Sequence, residues 1–238
     1  MYIQKKNKYF PFVVLLTAGL GAAWMVRHNS RQQIWQRILI NKYGSIKAKQ
    51  YIKEISTRSE LLLSQRPLPE NVSLRQHLTG NIIPGLAFYQ LLLQQSQGNQ
   101  ELALAETEAI IRAWTIERCK LLFAPLKIFP LSFSLFKRAF NQMMKSYPAV
   151  GWDINYLEQS DRRIAFNMTS CFYLNTLTAY GAPELTAVFC KSDDVMAEFF
   201  PENIRFVREH TLGRGDALCD FQYCRVQQEK MVLKNELK

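Results

Sequence analysis

The sequence has few of the residues that acid–base and metal chemistry most often use. His28, His77 and His210 are its only histidines. No H-E-x-x-H, G-x-S-x-G, G-x-G-x-x-G, Walker-type or C-x-x-C pattern occurs in it. That removes the common signatures of zinc peptidases, serine hydrolases of the nucleophile-elbow type, nucleotide binding and dithiol redox chemistry. Cysteine is present five times, an odd number, so a disulfide framework closed within one chain is not expected. The usual zinc pairing of cysteines also lacks its spacing, although Cys171, Cys190 and Cys219 could still meet in space around a metal; otherwise no cofactor is expected. Acid is scarce at one end. The first sixty residues carry eleven Lys and Arg against Glu54 and Glu60 alone, which accounts for nine of the ten net positive charges. A basic head on a nearly neutral body is unlike a nucleic-acid-binding domain, whose charge lines the folded surface, so nucleic acid is not an expected partner. What is present suffices for a core: 48% of the residues are hydrophobic and 12% aromatic, which excludes global disorder.

From Tyr9 to Val26 the chain carries no charge, and as a helix that run would reach roughly 27 Å against a hydrocarbon layer of roughly 30 Å. With basic flanks and with Tyr9 and Trp24 near its ends, it predicts a transmembrane anchor within residues 1–30 and a lipid bilayer as partner through residues 9–26. A cleaved signal peptide ending near Gly21-Ala22-Ala23 and a buried core helix are the alternatives. The flanking charges nearly balance, so orientation rests on the free thiols, which place the folded body of a single-pass protein in the cytoplasm.

Residues 31–79 read as basic amphipathic helices, broken at Tyr43-Gly44-Ser45, followed by a linker over Gln65–Gly80. Helical spacing continues over Pro84–Gln97, Gln100–Phe123 and Leu131–Met144, with Pro125 and Pro130 as the interruption. After Pro148 the pattern alternates. Trp152–Leu157 and Arg163–Cys171 predict one antiparallel hairpin, Ile204–Thr211 and Ala217–Val226 a second, with two helices between them. The fold class is α+β: a membrane helix, a helical half, then an antiparallel sheet of about four strands. Residues 227–238 form a charged tail.

Within residues 166–226 one ordered set stands out: Cys171, Gly181 with Glu184-Leu185, Cys190-x-x-Asp193, Phe206-x-Arg208, Thr211-Leu212, Gly215, and Cys219-Asp220-Phe221. This set resembles the L-2-amino-thiazoline-4-carboxylic acid hydrolase family, and residues 80–226 are similar to its domain. The resemblance implies hydrolysis of a C–N bond in a small cyclic amidine that bears a carboxylate. Such a reaction needs a base, an acid and a cation for that carboxylate.

On this reading Cys190, Asp193, Cys219 and His210 are the catalytic candidates, with either cysteine as a possible covalent nucleophile if its pKa falls toward neutrality. Arg208, Cys171 and Asp220 are the substrate-binding candidates, Arg208 through its planar fork. Period-two spacing places Phe206, Arg208 and His210 on one strand face and sends Cys219 and Asp220 to opposite faces. Each assignment has a plain structural counterpart: the cysteines as core residues, Arg208 as an ion-pair partner of Glu184 or Asp193, His210 as a surface group, Asp220 as a hairpin brace. The expected function is thus a membrane-tethered hydrolase of small carboxylate-bearing amidines; the alternative is a non-catalytic binding or scaffold domain of the same fold.

Overall fold

The computed structural model describes residues 31–123 and 133–226. The chain divides into two compact units, Met1–Leu68 with Thr79–Phe129, and Pro69–Leu78 with Pro130–Lys238.

The described part of the first unit is helical: α1 (Arg31–Tyr43), α2 (Ser45–Ser64), α4 (Ile83–Gln95) and α5 (Gln100–Phe123). The short helix α3 (Val72–His77) belongs to the second unit. Gly44 separates α1 from α2 at φ 76°, a left-handed conformation that glycine adopts without a Cβ penalty. Helix α4 is apolar on nearly every side, with Ile83, Leu86, Ala87, Phe88, Tyr89, Leu91 and Leu92 all buried, as befits the central helix of a bundle. Helix α5 presents Ala103, Thr107, Ile110, Ile111, Thr115 and Cys119 as its buried stripe. The hydroxyls of Thr107 and Thr115 donate to the carbonyls of Ala103 and Ile111 at 2.7 and 2.9 Å, so neither polar group in the stripe is left unpaired.

The second unit is built on a four-stranded antiparallel sheet in the order β1-β2-β4-β3, with β1 Trp152–Gln159, β2 Arg163–Cys171, β3 Ile204–Val207 and β4 Cys219–Arg225. Helix α6 (Phe133–Met144) buries Phe133, Phe136 and Phe140, three positions on one face by helical spacing. Phe140 meets the Tyr223 and Phe166 rings at 4.9 and 6.0 Å between centroids, and Phe166 stacks on Phe221 across the β2–β4 register. Helices α7 (Phe172–Ala179) and α8 (Leu185–Ala197) occupy the crossover from β2 to β3. A Cβ on Gly151 would lie 2.5 Å from the Leu74 side chain, so the glycine ahead of β1 lets α3 approach.

The α+β class and the paired hairpins agree with the sequence reading, and three features correct it. Among the described residues no helix is long and apolar enough to cross a membrane, and the run Tyr9–Val26 lies outside the described residues. The described fold therefore contains no membrane helix, and the expected tether, the bilayer as partner through residues 9–26 and the single-pass cytoplasmic placement find no support among the described residues. Second, the expected linker contains α3, because Asn71 caps it: the Asn71 Oδ1 accepts the N–H groups of Ser73 and Leu74 at 2.9 and 3.2 Å, satisfying two of the orphan donors of a helix start. Third, β3 stops at Val207 rather than Thr211. The next N–H groups leave the ladder for a side chain: Asp220 Oδ1 accepts from Glu209 and His210 at 3.0 and 2.7 Å.

Candidate active site

Helix α8 carries Cys190 and, one turn later, Asp193 and Asp194. Arg208, the first residue after β3, reaches across to all three. Its Nη1 donates to Asp193 Oδ2 at 2.7 Å, and its Nη2 donates to the Cys190 carbonyl at 3.0 Å and to both Asp194 oxygens at 3.0 and 3.1 Å. The guanidinium carbon lies 5.2 Å from the Phe221 ring centroid and 5.7 Å from that of Phe206, so two aromatic rings add cation–π contact to the ion pairs. The Arg208 side chain is only 3% exposed, whereas Asp193 and Asp194 remain 35% and 56% exposed. The guanidinium is thus interior, Asp193 is half-buried beside it, and Asp194 faces water. Burial works against the charge on Arg208, and Asp193 and Asp194 outweigh it, raising its pKa. Burial pushes the Asp193 carboxyl up to about 6, against the pull of Arg208 and with a further push from Asp194.

Three thiols interact electrostatically with this ion pair. Cys171 ends β2, Cys190 lies on α8 and Cys219 opens β4. The ionisation of Cys190 is coupled to Asp193, Arg208, Cys171 and Cys219, and burial, the largest influence, pushes it up to about 12. Cys219 is pushed up to about 11, again by burial, although its Sγ accepts the Leu212 N–H at 3.2 Å. Burial also raises Cys171, with the N–H groups of Leu174 and Tyr173 and the Trp152 side chain acting the other way. All three thiols are therefore protonated near neutrality. The 3₁₀ turn Leu212–Arg214 closes over the cluster: a Cβ on Gly213 would lie 2.8 Å from Cys190 Sγ and 3.1 Å from the backbone of Thr186 and Ala187. Only a residue without a Cβ lets the turn sit this close to α8.

His210 and Asp220 are placed apart from the thiols in their interactions. The His210 side chain is 55% exposed and its Nδ1 lies 3.1 Å from Asp220 Oδ2. That carboxylate raises the His210 pKa. Burial tends to raise Asp220 itself, but the His210 and Glu209 amides and the His210 ring hold it below its ordinary value. Of the expected common face of Phe206, Arg208 and His210, only Phe206 and Arg208 meet, at 5.7 Å; the strand ends before Arg208 and His210 turns to Asp220. The cysteine metal site is corrected too. Among the described residues, the one group whose ligand atoms all lie within 4.8 Å is Glu209, His210 and Asp220, not the three cysteines. A histidine with two carboxylates suits a borderline or hard divalent ion, but the Asp220 carboxylate is already engaged with two amides and the His210 ring.

Sequence spacing did anticipate the Cys190–Asp193 neighbourhood, and Asp193 was one of two partners named for Arg208. It missed Asp194 as a second partner, and it missed Leu212 and Gly213 as the cover over the thiols. The G-R-G run at 213–215 was the available signal, since two glycines in three residues mark a close backbone approach as well as a turn. His77, the other histidine of the described residues, is held by Tyr173 Oη at 3.0 Å and the Ser146 carbonyl at 3.1 Å, within an aromatic wall of Tyr147, Trp152 and Tyr173.

Comparison with known proteins gives one family. The model described as L-2-amino-thiazoline-4-carboxylic acid hydrolase matches residues 83–223, more than half of the chain. No curated protein matches. Among solved structures, the Fe(II) unliganded H-NOX protein from K. algicida is similar at 9% identity and a TM-score of 0.37, over 84% of this chain and 96% of that one; a likeness this slight supports nothing about fold or function.

Proposed function

Since the chain belongs to the L-2-amino-thiazoline-4-carboxylic acid hydrolase family, we propose that it hydrolyses a non-peptide C–N bond of a small cyclic amidine, with Asp193 as the group that moves the proton. The observation that carries this reading is the state of Asp193: a carboxyl tuned to about 6, gripped by Arg208 through one oxygen, and 35% open to solvent. A base poised near neutrality is mostly ionised at pH 7 and still close enough in pKa to return its proton. Asp193 takes a proton from water as the oxygen bonds to the carbon between the ring heteroatoms and the amino nitrogen. The C=N electron pair moves onto its nitrogen as the oxygen adds; the protonated carboxyl gives its proton to the ring nitrogen as the ring C–N bond breaks, and the remaining hydroxyl proton passes to the nitrogen that held the double bond as the carbonyl forms. Thiols with pKa values near 11 and 12 favour Asp193 over Cys190 or Cys219 as the reactive group, and leave the cysteines as the low-dielectric wall that sets the carboxyl's pKa.

The test is turnover of 2-amino-thiazoline-4-carboxylate. Asp193→Asn should lower kcat by roughly a hundredfold or more with the melting temperature retained, whereas Cys190→Ala should keep measurable turnover. An Asn variant as fast as the wild type would overturn the assignment. A second reading, a non-catalytic binding domain, is favoured by one feature: both terminal nitrogens of Arg208 are already committed to Asp193, Asp194 and the Cys190 carbonyl, which leaves this cation poorly placed to clamp a substrate carboxylate. Wild-type protein that is thermally stabilised by the compound without consuming it would select that reading.

A further inference from the structure

The helical unit contains a cavity of about 300 Å³, near the lower end of the range for small-molecule sites. It lies where the end of α1 and the start of α2 meet the end of α4 and the first turns of α5. Its apolar surface comes from Leu92, Leu102 and Ala103, and its polar lining includes Tyr43, Lys47, Tyr51, Gln95 and Glu106. The two tyrosine rings stand edge to face with centroids 5.0 Å apart. The Lys47 ammonium sits 5.3 Å from the Tyr43 centroid and 5.2 Å from that of Tyr51.

The charges in this cavity are not balanced. Glu106 is its one lining carboxylate and already carries two contacts on one oxygen: Oε2 accepts the Tyr43 hydroxyl at 2.6 Å and pairs with Lys42 Nζ at 3.2 Å. Lys47 has ring faces beneath it, acts on Glu106 only from a distance, and forms no ion pair within 4.0 Å among the described residues. Gln95 adds donors beside it. Its Oε1 accepts the Tyr51 hydroxyl at 2.6 Å, which orients the amide and leaves two N–H groups on Nε2.

We propose that this cavity is a second binding site, for a small carboxylate with a flat apolar body: the carboxylate is held by Lys47 and the Gln95 amide, and the body lies against the tyrosines and Leu92. A cationic ligand would meet Lys47 and Lys42 head-on, with the only carboxylate already neutralised. A neutral ligand would leave the Lys47 charge covered and unpaired, which costs more than leaving it in water. The site stands apart from the hydrolytic reading, since none of its lining residues belongs to the unit that holds Asp193.

Benzoate, benzamide and benzylamine make the test, because they share a ring and differ in charge. With the full chain, titration followed by calorimetry and by NMR of the tyrosine ring protons should show benzoate binding with shifts at Tyr43 and Tyr51. Benzamide should bind more weakly and benzylamine not at all. Lys47 is exposed, so Lys47→Gln should fold normally and should weaken benzoate by about tenfold or more, the worth of one charge-assisted hydrogen bond. Gln95→Leu should weaken benzoate to a smaller degree. Equal affinity for all three compounds, an unchanged benzoate affinity in folded Lys47→Gln, or no ring-proton shift at millimolar benzoate would each overturn the proposal.

Discussion

At Asp193 two opposing forces act on one carboxyl. Desolvation raises its pKa, the Arg208 cation lowers it, and desolvation prevails to leave it near 6. An ordinary aspartate titrates near 4, so the folded state holds the proton more tightly than the unfolded chain does. The sign follows by linkage: the group's contribution to stability is fully present below the unfolded pKa and is lost as pH rises through the folded one. Asp193→Asn removes that dependence. The melting temperature of the wild type should therefore fall relative to the Asn variant between about pH 4 and about pH 7, as read by thermal melts in matched buffers. A gap between the two proteins that stays constant over this window would show that Asp193 titrates as an ordinary solvated carboxylate. The Cys190-x-x-Asp193 spacing made these residues neighbours on paper. That the carboxyl is desolvated was not legible there, because the group that holds it, Arg208, lies fifteen positions away in the chain.

At the scale of elements, the helices other than α3 were readable from periodicity, as were the two helices between β2 and β3, but the segment between β3 and β4 was not. Alternation carried the strand prediction through Thr211, whereas the backbone leaves the sheet at Arg208. The reason is competition: Asp220 offers an acceptor to the Glu209 and His210 amides that a ladder would otherwise use, and Asp216 takes the Thr211 N–H at 2.6 Å. Such side-chain capture of backbone donors is local chemistry, yet it depends on a strand not adjacent in sequence. The 3₁₀ turn that follows rests on α8 through Gly213. Gly213→Ala would bring a methyl group to 2.8 Å from Cys190 Sγ and 3.1 Å from backbone atoms of α8, and should destabilise the protein by about 1–3 kcal/mol, the usual scale of overpacking. Urea denaturation measures it. Pairing Gly213→Ala with Cys190→Ala should recover part of the loss, since the sulfur contact goes and the backbone contacts remain. No recovery in the double variant would mean that the backbone of α8, not the thiol, sets the limit on this turn.

Across the whole molecule, the family match runs from the start of α4 to near the end of β4, so it takes in helices of one unit and the complete sheet of the other. Charge is distributed differently. The basic excess of the first sixty residues reaches into α1 and α2, where Lys42 and Lys47 flank Glu106. The Tyr43 hydroxyl bond is the largest influence on Glu106; with Lys42 and Lys47 it outweighs burial and lowers the Glu106 pKa, while burial, and after it Glu106, keeps the Tyr43 phenol protonated well above its ordinary range. A depressed carboxylate contributes stability above its unfolded pKa and loses it as pH falls through the folded one. That is opposite in sign to Asp193, and it arises in the other unit. Acid should therefore weaken the helical unit through Glu106 while relieving the sheet unit at Asp193. Glu106→Gln should melt below the wild type at about pH 7, and the gap should narrow at an acid pH below the depressed Glu106 pKa, where the wild-type carboxylate is protonated as well. Were the two melting curves to stay separated by the same interval at both pH values, the effect of Glu106 would be one of packing and hydrogen bonding, and its charge would play no part in holding α1 and α2 against α5.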